Sequence, residues 1–122
     1  MKRSLMFLFL LILSVFASAQ KKVLIAEKDQ IIEEAKKELD QTLANPGSAF
    51  MKVITEKKVT GVYVFDITIC EKGQVLSVFV VSSDARDVTM QNQVNDLVKA
   101  HEFNFKMPKG KSYKFQYTFN FK

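Results

Sequence analysis

The chain has 122 residues, 18 basic against 13 acidic side chains for a formal net charge of +5, 48% apolar residues and one cysteine. That length suits one domain with its own core, and the solitary Cys70 excludes an intramolecular disulfide and a four-cysteine zinc site. A charge this mild does not predict a nucleic-acid binder.

The N-terminal stretch "MKRSLMFLFLLILSVFASAQKK" starts with Lys2 and Arg3, runs through an apolar core from Leu5 to Phe16 and reaches Ala17-Ser18-Ala19. This is the build of a signal peptide with a small-x-small cleavage site. The apolar core is shorter than the roughly 17 to 25 residues of a spanning helix. Cleavage near Ala19 is therefore expected, leaving a periplasmic or secreted domain, residues 20–122, with no stable membrane anchor.

In the remaining chain, "AEKDQIIEEAKKELDQTLANPG" predicts a helix. Ile31, Ile32, Ala35, Leu39 and Leu43 recur at helical spacing, Glu33 and Lys37 form a favourable i,i+4 pair, and Asn45-Pro46-Gly47 ends the element. "AFMKVIT" reads as a short strand or an extended connector, and "EKKVTG" as a turn. In "VYVFDITICEKGQVLSVFVVS", Tyr63, Phe65, Ile67 and Ile69 alternate with more polar positions, Glu71-Lys72-Gly73 supplies a turn and a β-branched run follows, which predicts a hairpin. The second strand is apolar on both parities: Val75, Phe79 and Val81 on one, Leu76, Val78 and Val80 on the other. Either both its faces are covered or a bulge near Ser77 shifts the phase.

Ser82, Ser83 and Asp84 offer capping oxygens for a second helix, with Asp87 in its opening turn. Met90, Val94, Leu97, Val98 and His101 then form one apolar stripe. "EFNFKMPKGK" ends that helix and supplies a loop, with Pro108 and Gly110 as breakers. The chain closes on "SYKFQYTFNFK". A period of two puts Tyr113, Phe115, Tyr117, Phe119 and Phe121 on one face of a strand, with Lys114, Gln116, Thr118 and Asn120 on the other.

Helix, strand, strand, helix, strand is an α+β order. A strand joined to the next through a helix is usually parallel to it. With the first hairpin strand between them, the sheet order is second, first, third, and the rings of the last strand are expected to pack beneath the second helix. Catalytic chemistry finds little footing. His101, the one histidine, closes an apolar stripe and reads as a core or boundary residue. Cys70, beside Glu71 at a strand end, reads as an inert thiol, with intermolecular pairing as the alternative; Asp66 and Glu71 read as solvated. No phosphate loop, nucleophile elbow or metal motif occurs, so neither an enzyme nor a cofactor is expected. The aromatic strand with interleaved lysines is also the composition of a single-stranded nucleic-acid platform, a use that the export signal and the low charge argue against.

One resemblance covers about residues 59 to 122. "TGVYVFDITICEKGQVLSVFVVSSD", "MQNQVNDLVKAHEFNF", "MPKGK" and the alternating final strand resemble the C-terminal domain of the TonB family of energy transducers. Gly61, Gly73, Val75, Val80, Ser82, Val94, Phe103, Phe105 and Pro108 occupy its landmarks. A tryptophan at the helix end is replaced by His101 or Phe103, the proline falls one residue late, and a tyrosine-proline pair before the first strand is missing. The resemblance implies a TonB C-terminal-like domain (49–122) with an antiparallel hairpin and a βαβ crossover, to which the helix read from its spacing (residues 20–48) is an N-terminal addition. It also implies a non-catalytic module that binds a protein partner, an extended segment of an outer-membrane transporter, by adding it as a strand beside Ser112, Tyr113, Lys114, Phe115, Gln116, Tyr117, Thr118, Phe119 and Asn120. With no anchor and no long proline-rich spacer read in the sequence, a stand-alone periplasmic adaptor, competitor or sensor domain is expected rather than a linkage that carries force. Three alternatives stay open: an edge simply blunted by Lys114 and Lys122, a homodimer through the same strand, and a cystatin-like or PepSY-like regulator in which Phe50 to Thr55 would form a full strand of the main sheet.

Overall fold

Alternation in the hairpin sequence becomes a strand with one wholly buried row. In the computed structural model, which describes residues 22–84 and 88–122, Tyr63, Phe65, Ile67 and Ile69 are buried on one face of the strand Val62–Cys70. The elements in chain order are β1 (Val23–Leu24), α1 (Lys28–Ala44), α2 (Ala49–Glu56), β2 (Val62–Cys70), β3 (Val75–Ser83), α3 (Val88–Ala100), β4 (Phe105–Lys106) and β5 (Ser112–Asn120). The three-stranded sheet has the order β3-β2-β5, with β2 antiparallel to both neighbours, and β1 and β4 form a separate parallel pair. The molecule is thus a small α+β domain with three helices and two sheets among the described residues. The expected signal peptide and Asp87 lie outside those residues.

The ambiguity of β3 resolves in favour of bulges. The β2–β3 ladder passes from Val64↔Ser82 to Phe65↔Val80, and from Thr68↔Ser77 to Ile69↔Val75, so Val81 and Leu76 are extra residues. Each extra residue resets the parity, which keeps Val75, Val78 and Val80 against the core and leaves Leu76, Phe79 and Val81 exposed. Both parities are apolar because the register shifts, and the outer face is not covered by any described residue.

The β2–β3 turn is held from outside. Gly73 N–H donates to Cys70 O at 2.9 Å, Phe103 N–H donates to Gly73 O at 2.8 Å, and Met107 N–H donates to Glu71 O at 2.7 Å. Gly73 has φ +77°, and a Cβ there would meet Phe105 O at 2.5 Å and Phe103 O at 2.7 Å. Both obstacles are backbone and cannot rotate away. Gly73→Ala is expected to cost at least the ~1 to 2 kcal/mol of a left-handed non-glycine residue, read as a lower urea midpoint. An unchanged midpoint would mean that the turn and the 103–107 segment are not clasped together.

Three features depart from the sequence expectation. Residues 49–56 form neither a strand nor a connector but the helix α2: Ser48 Oγ accepts a hydrogen bond from Met51 N–H at 3.2 Å, and Phe50 and Ile54 turn into the core. The main sheet therefore lacks the strand that a cystatin-like or PepSY-like arrangement draws from Phe50 to Thr55. Ser82 and Ser83 belong to β3 rather than to a helix cap, and Asp84 Oδ1 accepts from Val62 N–H at 2.6 Å, closing the start of β2. The rings of β5 do not lie beneath the second predicted helix, now α3. That helix packs on β3, while β5 lies under α1, and Phe50 of α2 stacks on Phe119 with centroids 5.9 Å apart and planes at 7°.

The N-terminal helix is consequently part of the domain and not an appendage. Ile31, Ala35 and Leu39 share one core cluster with Phe65, Val94, Phe103 and Phe119. Its two flanks meet different neighbours. The Glu34 and Glu38 flank faces the segment after α3, where the Glu38 carboxylate accepts from Asn104 N–H at 3.0 and 3.1 Å and stands 4.0 Å from His101 Nε2. His101 itself packs edge-on against Phe103 at 4.6 Å, and its buried Nε2 has no hydrogen bond.

Burial holds the His101 imidazole below its ordinary value of 6.5, and burial raises the Glu38 carboxyl. For His101 the unfolded chain binds the proton more tightly. Its contribution to stability is complete above pH 6.5 and is lost as the pH falls from there through the folded value. Glu38 acts in the opposite sense, with stability lost as the pH rises from 4.5 through its raised value. Urea midpoints measured downward from pH 7.5 should fall below about pH 6.5 in the wild type, the ordinary histidine range. In His101→Gln that part of the slope should flatten. A parallel slope in the variant would place the sensitivity elsewhere.

Candidate strand-binding edge

The register of β5 decides which of its backbone groups are free. Its pairing with β2 runs without a bulge from Val62↔Asn120 to Cys70↔Ser112. One residue further on, Phe121 N–H donates to Gly61 O at 2.9 Å, so the opposed pair 61/121 is a hydrogen-bonded one. In an antiparallel ladder such pairs alternate, which makes Phe119, Tyr117, Phe115 and Tyr113 the residues whose N–H and C=O groups face β2. The other side of β2 agrees, because Cys70 N–H donates to Gln74 O at 3.0 Å and Asp84 N–H donates to Val62 O at 3.1 Å, sending the even-numbered residues of β2 to β3.

The backbone groups of Ser112, Lys114, Gln116, Thr118 and Asn120 consequently point away from the sheet, and no described strand pairs with them. The nine residues expected at a binding edge split into two sets. These five offer the edge, and their side chains are exposed. Phe115 and Phe119 are buried and Tyr113 and Tyr117 half-buried, so these four serve the core through their rings and β2 through their backbone.

The two edges of the main sheet are not equivalent. Bulges at Val81 and Leu76 interrupt β3 twice, which twists an edge and spoils its regular spacing of donors and acceptors. β5 has no such interruption over nine residues, and Lys114 is its only charged side chain. Lys122, the other expected blunting charge, stands 3.6 Å from Asp84 Oδ2. Blunting by lysine is therefore confined to one position along the strand.

A residue that the sequence does not single out also reaches this edge. Asp40 of α1 accepts a hydrogen bond from the Tyr117 hydroxyl. Burial raises the Tyr117 phenol and the Asp40 carboxylate raises it further, so the tyrosine stays a neutral donor at any ordinary pH. In the sequence Asp40 is one polar residue of a helix among many, and only the fold brings it to β5.

No family model matches the chain, and no curated protein or solved structure does so either. The chemistry elsewhere is sparse. Among the described residues no group of three or more His, Cys, Asp or Glu side chains is gathered as a metal ion would require. Cys70 is half-buried and its thiol donates to Gln74 O at 3.4 Å. Asp66 accepts from Gln116 Nε2 at 3.4 Å on the open face, while Glu71 accepts from Gly110 N–H at 3.1 Å at the end of the sheet, so the two carboxylates serve separate contacts. No helix among the described residues is long and apolar enough to cross a membrane.

Proposed function

We propose that this chain is a non-catalytic protein-binding module of the periplasm, similar to the TonB C-terminal domain, that takes an extended segment of an outer-membrane transporter or another envelope protein as an added strand on β5. The observation that carries the reading is the uninterrupted outer edge of that strand. Five residues in a row of alternate positions present N–H and C=O groups at the spacing of a β-ladder, and they cost free energy in a complex only if left unpaired. Landmarks of the resemblance lie at joints of the fold, which adds support: Gly61 opens β2, Gly73 turns the hairpin, and Val94, Phe103 and Phe105 are core residues.

The test is a backbone NMR titration of the isotope-labelled mature chain with extended peptides from transporter N-termini and with scrambled controls. Saturable shifts centred on the amides of Lys114, Gln116, Thr118 and their neighbours are expected for matching peptides alone. Absence of shifts from a monomeric domain would remove transporter recognition and move the assignment to a secreted regulatory domain.

A further inference from the structure

The edge of β5 is bordered on its core side by the free flank of α1. Ile32, Lys36, Asp40 and Leu43 lie at i, i+4, i+8 and i+11, one row along the helix. This row lies across the buried line Ile31, Ala35 and Leu39 from the Glu34 and Glu38 flank that meets Asn104 and His101. α3 packs on β3 and α1 on β5, and the bond from the Tyr117 hydroxyl to Asp40 ties this row of α1 to β5. Ile32 and Leu43, like Tyr113 and Tyr117, are half-buried against the core, with part of their apolar surface in water.

We propose that Ile32 and Leu43 of α1, with Tyr113 and Tyr117 of β5, form an apolar wall beside the strand-binding edge, and that this wall selects partner segments carrying apolar side chains at every second position. The inference rests on strand addition at β5 and names the kind of segment added there. An incoming strand lies about 4.8 Å beyond β5. Its side chains alternate between the two faces of the sheet, so every second one faces the α1 row. Apolar contact is offered there by Ile32 and Leu43 at the two ends of the row and by the rings of Tyr113 and Tyr117, with Lys36 and Asp40 between. The intervening side chains stand beside Ser112, Lys114, Gln116, Thr118 and Asn120. On that solvent side β5 carries the Lys114 cation at its outer margin, with the Asp66 carboxylate one strand further in against Gln116, so a carboxylate of the polar row is suited beside Lys114. A segment apolar on one parity and polar or acidic on the other matches both rows; a uniformly polar strand matches the backbone and one row only.

The wild-type mature chain and two nine-residue peptides with identical acidic ends test this. One peptide alternates valine with threonine, and the other has serine in place of valine. The alternating peptide is expected to bind at least tenfold more tightly, with nuclear Overhauser contacts from its valine methyls to those of Ile32 and Leu43. The double variant Ile32→Asp, Leu43→Asp should bring its affinity down to that of the serine peptide, whose binding stays unchanged. Equal affinities for the two peptides, or methyl contacts that omit α1, would overturn the wall while leaving strand addition standing. The contacts are read in the wild type, so a misfolded variant does not remove the test. If neither peptide moves the amides of Lys114, Gln116 and Thr118, strand addition itself fails and the wall with it. A free domain that sediments as a dimer with those amides already protected would give the edge to a second copy and overturn both.

Discussion

Phe119→Ala is expected to lower the stability of the domain by about 3 to 5 kcal/mol. Phe119 is 0% exposed and is the ring on which α2, β2 and β5 converge. It stacks on Phe50 of α2 at 5.9 Å, meets Phe65 of β2 at 5.6 Å and Tyr117 at 4.8 Å, and lies 6.3 Å from Phe121. Truncation removes the transfer free energy of the ring and opens a space that these neighbours, held by a helix and two strands, close only in part. Against a total of roughly 5 to 15 kcal/mol for a domain, that is a large share. Phe79→Ser is the control, because Phe79 is the same residue type at 69% exposure on the open face and should move the urea midpoint little, by about 0.5 kcal/mol or less. Similar midpoints for the two variants would mean that the strand faces are assigned the wrong way round.

Gln116→Pro is expected to weaken partner binding by about a hundredfold or more, ~2.7 kcal/mol, while leaving the fold close to wild type. The N–H of Gln116 points away from β2, so proline removes no bond of the β2–β5 ladder, and the outward side of an edge strand is where proline is tolerated. For a strand arriving from outside, the same change deletes a central donor and places a pyrrolidine ring in its path. Tyr117→Pro makes the contrast, since it removes an N–H that serves the ladder to β2, together with the ring on Phe119 and the bond to Asp40, and should lower the urea midpoint clearly. Urea unfolding and peptide titration of both variants separate the two effects. Unimpaired binding by a folded Gln116→Pro would place the partner somewhere other than β5.

The first hairpin strand, the two longer helices and the buried parity of the last strand were legible because each carries a sustained period, two or 3.6, over nine residues or more, whereas the second hairpin strand was legible by its β-branched run after a turn. Helix α2 was not, because Val53, Ile54 and Thr55 are β-branched and its eight residues give little more than two turns. The signals that identify it are Ser48 after Pro46-Gly47 and the i, i+3, i+4 spacing of Phe50, Val53 and Ile54. Strands β1 and β4 have two residues each, too few for any period, and exist because the segment after α3 is already fastened to the β2–β3 turn. At the candidate site, β5 could be named from the sequence, but not which half of its backbone is free. That depends on the phase of the ladder with β2. The neighbourhood of Asp40 depends on which helix covers which strand, and the crossover pattern alone directs attention to α3.

The contrast between a doubly bulged β3 and an uninterrupted β5 also limits stoichiometry. A sheet with one regular margin is extended on that side, because the twice-interrupted opposite margin is a poor template for a further strand. On the proposed strand addition, each domain would hold one partner chain and the assembly would lack a route to a growing fibre. Even two copies meeting through this margin would cap each other as a closed pair, since each brings a single usable side to the contact.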